Sequence, residues 1–180
     1  MKKYSWNYKE FFKVNNQVGQ NEALDFIMYF SSSWLIYIIA TIVVLWGYFK
    51  FNGSVTFWLM FLALGISVIL GLFLSLIISF IWPRKRPVAV LKNIKQLIIP
   101  FQIWKSFPSD HTLISFLFAL MPLYFGAGFF FVLTLFLLSA VVGYGRVYVG
   151  VHYPYDIFGG FLLALIVSPL SFFLALNLVF

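Results

Sequence analysis

Long apolar runs alternate with short polar breaks along the chain, in lengths that suit membrane-spanning helices. Five runs approach the about 20 residues that carry a helix across a bilayer. They are Ser33–Phe49, Val55–Trp82, Leu113–Phe125 with a polar start at Ser109, Phe129–Tyr148 and Ile157–Phe180. The breaks carry the residues that end helices: Asn52-Gly53, Pro83 to Pro87, Pro100, Gly126 to Gly128 and Pro154. Residues 4–29 differ, with Lys9, Glu10, Lys13, Asn15, Asn16, Glu22 and Asp25 among them, and no part could span. Leu24, Ile27, Met28 and Phe30 cluster at helical spacing there. The pattern predicts an all-α, multi-pass transmembrane helical bundle of about five spans, preceded over residues 1–30 by one or two amphipathic helices lying at the interface. No internal repeat or low-complexity stretch divides residues 1–180, so one domain is expected.

Composition sharpens this picture. Hydrophobic residues make up 63% of the 180 and charged residues 9%, against roughly 25% in soluble domains. The net charge is +7, yet the basic residues have no soluble domain on which to form a nucleic-acid surface, so no nucleic-acid partner is expected. Anionic head groups or a phosphorylated lipid fit better. The chain has no Cys, which removes disulfide and thiolate chemistry. No apolar stretch follows Met1-Lys2-Lys3, which argues against a cleaved signal peptide.

The remaining polar residues are scarce and clustered. From Phe107 onward the acids, bases and histidines are Asp110, His111, Arg146, His152 and Asp156. A charge inside such sequence costs about 2.5 kcal/mol or more, so it persists with a partner or a task. Ser109-Asp110-His111 opens one apolar run, where free backbone N–H groups and the helix dipole favour an anion. An ordinary helix start would look the same at Ser109, but His111 can also donate a proton. His152 and Asp156 are four apart and can share a helical face, so a carboxylate could orient an imidazole as base or nucleophile. Arg146 offers a planar fork to a phosphate, or could be half of a structural Arg–Asp pair. Arg84-Lys85-Arg86-Pro87 ends the second run, and Lys92, Lys95 and Lys105 follow it. By itself such a run reads as a head-group patch. Alternating spans would bring all three clusters to one face of the membrane, with residues 83–107 as the active-site loop. Arg84, Arg86 and Arg146 would repel a divalent ion from the histidines, so no metal or other cofactor is expected.

Together these clusters resemble the type 2 phosphatidic acid phosphatase superfamily. Arg86-Pro87 is similar to the end of its Lys-x6-Arg-Pro element, and Pro108-Ser109-Asp110-His111 to its Pro-Ser-Gly-His element. Gly145-Arg146, His152 and Asp156 are similar to its Ser-Arg-x5-His-x3-Asp element. Phe107-Pro-Ser-Asp-His-Thr112 and Gly145-Arg-Val-Tyr-Val-Gly-Val-His-Tyr-Pro-Tyr-Asp156 resemble the undecaprenyl-diphosphate phosphatase branch, as does Leu24-Asp25-Phe26-Ile27-Met28. The likeness covers about residues 7 to 165.

The resemblance implies a metal-independent lipid phosphatase. Undecaprenyl diphosphate would be its substrate, with phosphatidate, phosphatidylglycerol phosphate or a lipid A phosphate as alternatives. It implies that His152 attacks phosphorus, Asp156 orients it and His111 protonates the leaving oxygen. The phosphate-binding set is then Arg86, Arg146, Ser109, Asp110, Lys85 and Arg84. The family lysine would fall at Ser79, and Lys85 is the candidate to stand in. A small transporter or channel is the competing class, but it would need ionisable groups near mid-bilayer.

Orientation divides two arguments. Lys2, Lys3, Lys9, Lys13, Lys92, Lys95 and Lys105 fall on the face of the clusters, and Lys50 on the other. The positive-inside rule would make the site cytoplasmic. The resemblance implies the extracytoplasmic face of the cell membrane, and that is the expectation adopted.

Overall fold

The structure, a computed structural model, describes residues 6–180, so Lys2 and Lys3 lie outside the described residues. Its helices are α1 (Trp6–Asn15), α2 (Glu22–Ser33), α3 (Leu35–Phe51), α4 (Val55–Ile81), α5 (Pro87–Val90), α6 (Asp110–Tyr124), α7 (Phe129–Tyr148) and α8 (Pro154–Val179). No strand occurs among the described residues. Asn52 ends α3 in the left-handed region at φ 48°, where Asn is better tolerated than most residues. Pro154 opens α8, where its fixed φ suits a first helical turn and its missing N–H is no loss.

The bundle is built around α6, which packs on α3, α4, α7 and α8. Its 15 residues reach only about 22 Å. Protein surrounds it on most sides, so it need not match the bilayer by itself. Close approach to α4 comes from a column of small residues. Ser67, Gly71, Ser75 and Ser79 recur every fourth position, share one face and are all buried. Ser79, where the family lysine would fall, belongs to this column, and its hydroxyl donates to the Leu76 carbonyl at 2.7 Å. The outward faces of α4 and α8 keep Ile69, Phe73, Phe158, Ile166 and Phe173 exposed, as a lipid-facing surface requires.

The five predicted runs correspond to α3, α4, α6, α7 and α8. By length and composition α4, α7 and α8 can each cross a membrane, and α2 with α3 forms a fourth candidate bent by 53°. The bend falls at Trp34, between the two helices. The amphipathic segment resolves into α1, packed on α7 and α8, and α2, packed on α7 and running into α3. Leu24 and Met28 of α2 meet Tyr148 and Val149 at the end of α7.

Candidate active site

Three segments meet at one end of the bundle: the loop after α4, the start of α6, and the turn from α7 into α8. The first two are joined across the loop by backbone bonds. Arg86 N–H donates to the Ile103 carbonyl at 2.9 Å and Ser106 N–H to the Arg84 carbonyl at 2.8 Å. The second and third meet where Ser109 N–H donates to the Asp156 carbonyl at 3.0 Å. Gly160 allows this approach, because a Cβ there would stand 2.6 Å from the Ser109 carbonyl oxygen. The turn carrying His152 folds back so that Val151 and His152 N–H groups donate to the Arg146 carbonyl, at 3.2 and 3.3 Å. Gly150 makes that reversal at φ 86°, a conformation that favours glycine.

Asp156 is fully buried and heavily bonded. It accepts from Arg84 Nη1 at 3.0 Å, from the Ser106 hydroxyl at 2.6 Å and from Tyr153 N–H at 2.8 Å. The Arg84 guanidinium also lies 4.4 Å from the centre of the Tyr153 ring. Arg84, expected among the phosphate contacts, is thus turned to the carboxylate that faces His152.

His152 is buried, with Nδ1 2.9 Å from the Ser106 carbonyl oxygen and 3.6 Å from Asp156 Oδ2. Both neighbours can only accept, so the ring proton sits on Nδ1 and the Nε2 lone pair is free. Burial lowers the imidazole pKa to about 4, with Arg86 and Arg146 adding to the fall and Asp156 opposing it. His152 is therefore neutral at physiological pH, the state in which an imidazole can act as a base or nucleophile.

The cations divide into paired and unpaired. Lys105 is buried and meets both oxygens of Asp110 at 2.7 Å, while the Ser75 hydroxyl donates to Asp110 at 2.6 Å. Arg86 Nε donates to the Lys105 carbonyl at 3.0 Å, and Arg146 Nη1 to the Ser32 carbonyl at 3.1 Å. Among the described residues neither guanidinium has a carboxylate partner, and Arg86 Nη1 and Arg146 Nε are buried without a hydrogen-bond partner. Burial lowers the pKa of Arg86, with Asp110 and Asp156 opposing. Lys85, by contrast, is exposed on the loop and is not brought to the others.

Ser109 occupies the N-cap position of α6, but its hydroxyl does not cap the helix and accepts from Thr112 at 3.1 Å. His111, in the first turn of α6, lies within electrostatic reach of His152, Arg146, Asp110 and Arg86. It also lines a cavity of about 320 Å³ with Ile36, Tyr37, Ala40, Ile114 and Phe118, between α3 and α6. Sequence reasoning missed Lys105 and Ser106 as site residues. They lie in an irregular stretch with neither motif nor periodicity, and the one signal was a lysine bordering apolar sequence.

This arrangement offers a neutral imidazole with a free nitrogen, a second histidine on an apolar cavity, and two buried guanidinium groups with idle donors. It suits transfer of a phosphoryl group from an apolar carrier. Comparison with known proteins agrees. The sequence model of the PAP2 superfamily matches residues 56–178. Undecaprenyl-diphosphatase BcrC of Bacillus subtilis (strain 168) is 30% identical over 169 residues, covering 92% of this chain and 82% of that protein. Bacitracin transport permease protein BcrC of Bacillus licheniformis is 29% identical over 185 residues, covering 94% of this chain and 81% of that protein. Among solved structures, Aquifex aeolicus LpxE superposes with a TM-score of 0.72 at 26% identity, covering 95% of this chain and 97% of that one. A PAP2-type phosphatidylglycerolphosphate phosphatase from Bacillus subtilis shares the fold, with a TM-score of 0.51 at 20% identity over 91% of each chain. The chain belongs to the PAP2 superfamily and is a multi-pass membrane lipid phosphatase.

Proposed function

We propose that the chain hydrolyses undecaprenyl diphosphate to undecaprenyl phosphate through a phosphohistidine at His152. The observation that carries this reading is the pair of buried donors on Arg86 and Arg146, which have no partner among the described residues, beside an imidazole whose Nε2 is free. A buried guanidinium donor without an acceptor is costly, and phosphoryl oxygens would satisfy both. His152 Nε2 attacks the terminal phosphorus as the bond to the bridging oxygen breaks. His111 gives that oxygen its proton. Water then attacks the phosphorus, His111 takes a proton from it, and the P–N bond breaks to return neutral His152 and free phosphate. Asp156 and the Ser106 carbonyl stabilise the imidazolium between the two steps. Arg86 and Arg146 hold the phosphoryl oxygens with the uncapped start of α6 at Ser109 and Asp110. The leaving lipid phosphate lies on the His111 side, where the cavity between α3 and α6 is lined by apolar side chains apart from His111 and Tyr37.

No metal enters this mechanism, since Arg86, Arg146 and the two ion-paired cations already supply the positive charge. The identity of the lipid rests on similarity to the undecaprenyl-diphosphatase of Bacillus subtilis. The transport-permease name of the second relative has less support here. A pathway needs ionisable groups along the span, whereas these meet at one end of the bundle. The test is phosphate release by purified protein in detergent with EDTA, across undecaprenyl diphosphate, phosphatidate, phosphatidylglycerol phosphate and a lipid A phosphate. The highest kcat/KM is expected on undecaprenyl diphosphate, undiminished by EDTA. Preference for another lipid reassigns the substrate, and loss of activity restored by Mg²⁺ or Zn²⁺ sinks the metal-free mechanism.

The site is proposed to face outward from the cell membrane. Several lysines that weigh against this have structural partners. Lys95 Nζ donates to the carbonyls of Asn16, at 3.0 Å, and Val18, and Lys105 pairs with Asp110. Their positions follow from the fold as much as from orientation. Single cysteines at Lys92 and Ser54, both exposed and on opposite ends, report on this in a cysteine-free chain. In intact cells an impermeant thiol reagent should label Lys92→Cys and spare Ser54→Cys until the membrane is permeabilised. The reverse pattern places the site in the cytoplasm, and equal labelling breaks the alternation of spans.

A further inference from the structure

Lys105 and Ser106 are adjacent in a stretch, residues 91–109, that has no helix or strand. Even so, the nucleophile depends on this dipeptide for its orientation. The Ser106 carbonyl receives His152 Nδ1–H at 2.9 Å, closer than Asp156 at 3.6 Å, and the Ser106 hydroxyl holds Asp156 at 2.6 Å. Regular structure cannot fix that peptide unit. It is fixed by Lys105, whose buried ammonium bonds both oxygens of Asp110, itself held by Ser75 of α4. The Lys105 carbonyl takes Arg86 Nε at 3.0 Å, and Ser106 N–H is tied to Arg84. Lys105 therefore connects the start of α6 and the body of α4 to the atom that sets the tautomer of His152.

We infer that Lys105 is a positioning residue: through its ion pair with Asp110 it fixes the Ser106 carbonyl that holds the His152 imidazole with Nδ1 protonated and Nε2 aimed at phosphorus. This rests on His152 being the nucleophile of the proposed reaction. Two of the three Lys105 donors are taken by Asp110, so the ammonium is engaged with the protein and is not itself a phosphate contact. Asp110 thus enters the site through Lys105 as well as through its backbone.

Kinetics and a spectroscopic signal test this together. Lys105→Met should lower kcat by about 10-fold or more, the scale expected when a reacting group loses its alignment. KM should stay within about 2-fold, because the phosphate contacts remain. Lys105→Arg, which can still pair with Asp110, should recover most of the rate. Asp110→Asn should resemble Lys105→Met, and the double variant should be no worse than either, because both remove one interaction. The chain has two histidines, so ¹⁵N-labelled imidazole, assigned with His111→Gln, reports on His152 alone. The Nδ1–H signal should be protected from exchange in the natural protein and in Lys105→Arg, and should shift and lose protection in Lys105→Met and Asp110→Asn. Detergent melting curves check that each variant is folded. Where Lys105→Met does not fold, the isosteric Asp110→Asn carries the test.

A raised KM with unchanged kcat would make Lys105 a phosphate contact and overturn the inference. So would single effects that multiply, or a falling kcat with an unmoved Nδ1–H signal. If the natural protein releases no phosphate from any lipid while Nδ1–H still responds to Lys105→Met and Asp110→Asn, the functional reading fails and the positioning role stands.

Discussion

Replacing His152 by Ala should abolish phosphate release, with a loss of about 100-fold or more in kcat. The other histidine, His111, lines the cavity between α3 and α6, and its proposed role is proton transfer to the leaving oxygen. Burial holds His152 neutral, and the Ser106 carbonyl fixes its proton on Nδ1, so Nε2, the nitrogen proposed to attack, keeps its lone pair before substrate arrives. Loss of the ring also leaves the Ser106 carbonyl without its imidazole donor, so stability must be followed alongside rate. His152→Gln, which keeps more of the side chain and an amide donor, separates the two effects. Rapid quench with terminally ³²P-labelled undecaprenyl diphosphate should trap acid-labile label on the natural protein and none on either variant. Turnover near the natural rate in well-folded His152→Ala would remove His152 from the chemistry.

The second large effect is expected at Arg146. Arg146→Gln should lower kcat by about 100-fold to 1,000-fold, the range for losing a donor aimed at developing charge in a water-poor site. Its Nη1 is engaged by the Ser32 carbonyl, and Nε has no partner among the described residues. One side of the guanidinium thus anchors the bent junction of α2 and α3, and the other is proposed to hold a phosphoryl oxygen. Arg146→Lys should not restore the rate, because a single ammonium cannot serve both directions at once. Melting in detergent should show partial destabilisation in each variant, since the buried Ser32 carbonyl loses its donor at a cost of about 1–3 kcal/mol. If Arg146→Gln keeps kcat within about 3-fold while the protein melts earlier, Arg146 is an anchor and the phosphate cradle needs another donor.

The apolar runs were sufficient by themselves to place the five longest helices, α3, α4, α6, α7 and α8. Phe129–Tyr148 has the same bounds in sequence pattern and structure, and Val55–Trp82 differs from α4 by one residue at its end. Burial in lipid or in a bundle is averaged over a whole turn, so a run of apolar residues reports it without knowledge of any partner. The scarcity of charge after Phe107 likewise singled out His111, Arg146, His152 and Asp156, because each ionisable group in such a sequence is costly. Alternation of spans was enough to expect the three clusters at one end.

The partnerships within that end were decided by the tertiary structure. Arg84 faces Asp156 across 72 positions, and His152 meets the Ser106 carbonyl across 46. Lys105 turns inward to Asp110, whereas Lys85 stays exposed. These choices arise between residues 83 and 109, where the chain is irregular apart from one short helix and carries no period from which a side chain's direction could be read. There the backbone is set by individual hydrogen bonds to distant segments, and each such bond exists only once α4, α6 and α8 have packed. The bend at Trp34 that delivers the Ser32 carbonyl to Arg146 has the same origin. Sequence determines which segments are buried and which groups are too costly to be idle. Packing determines which donor meets which acceptor, because that pairing is a property of three-dimensional contact and has no local signature.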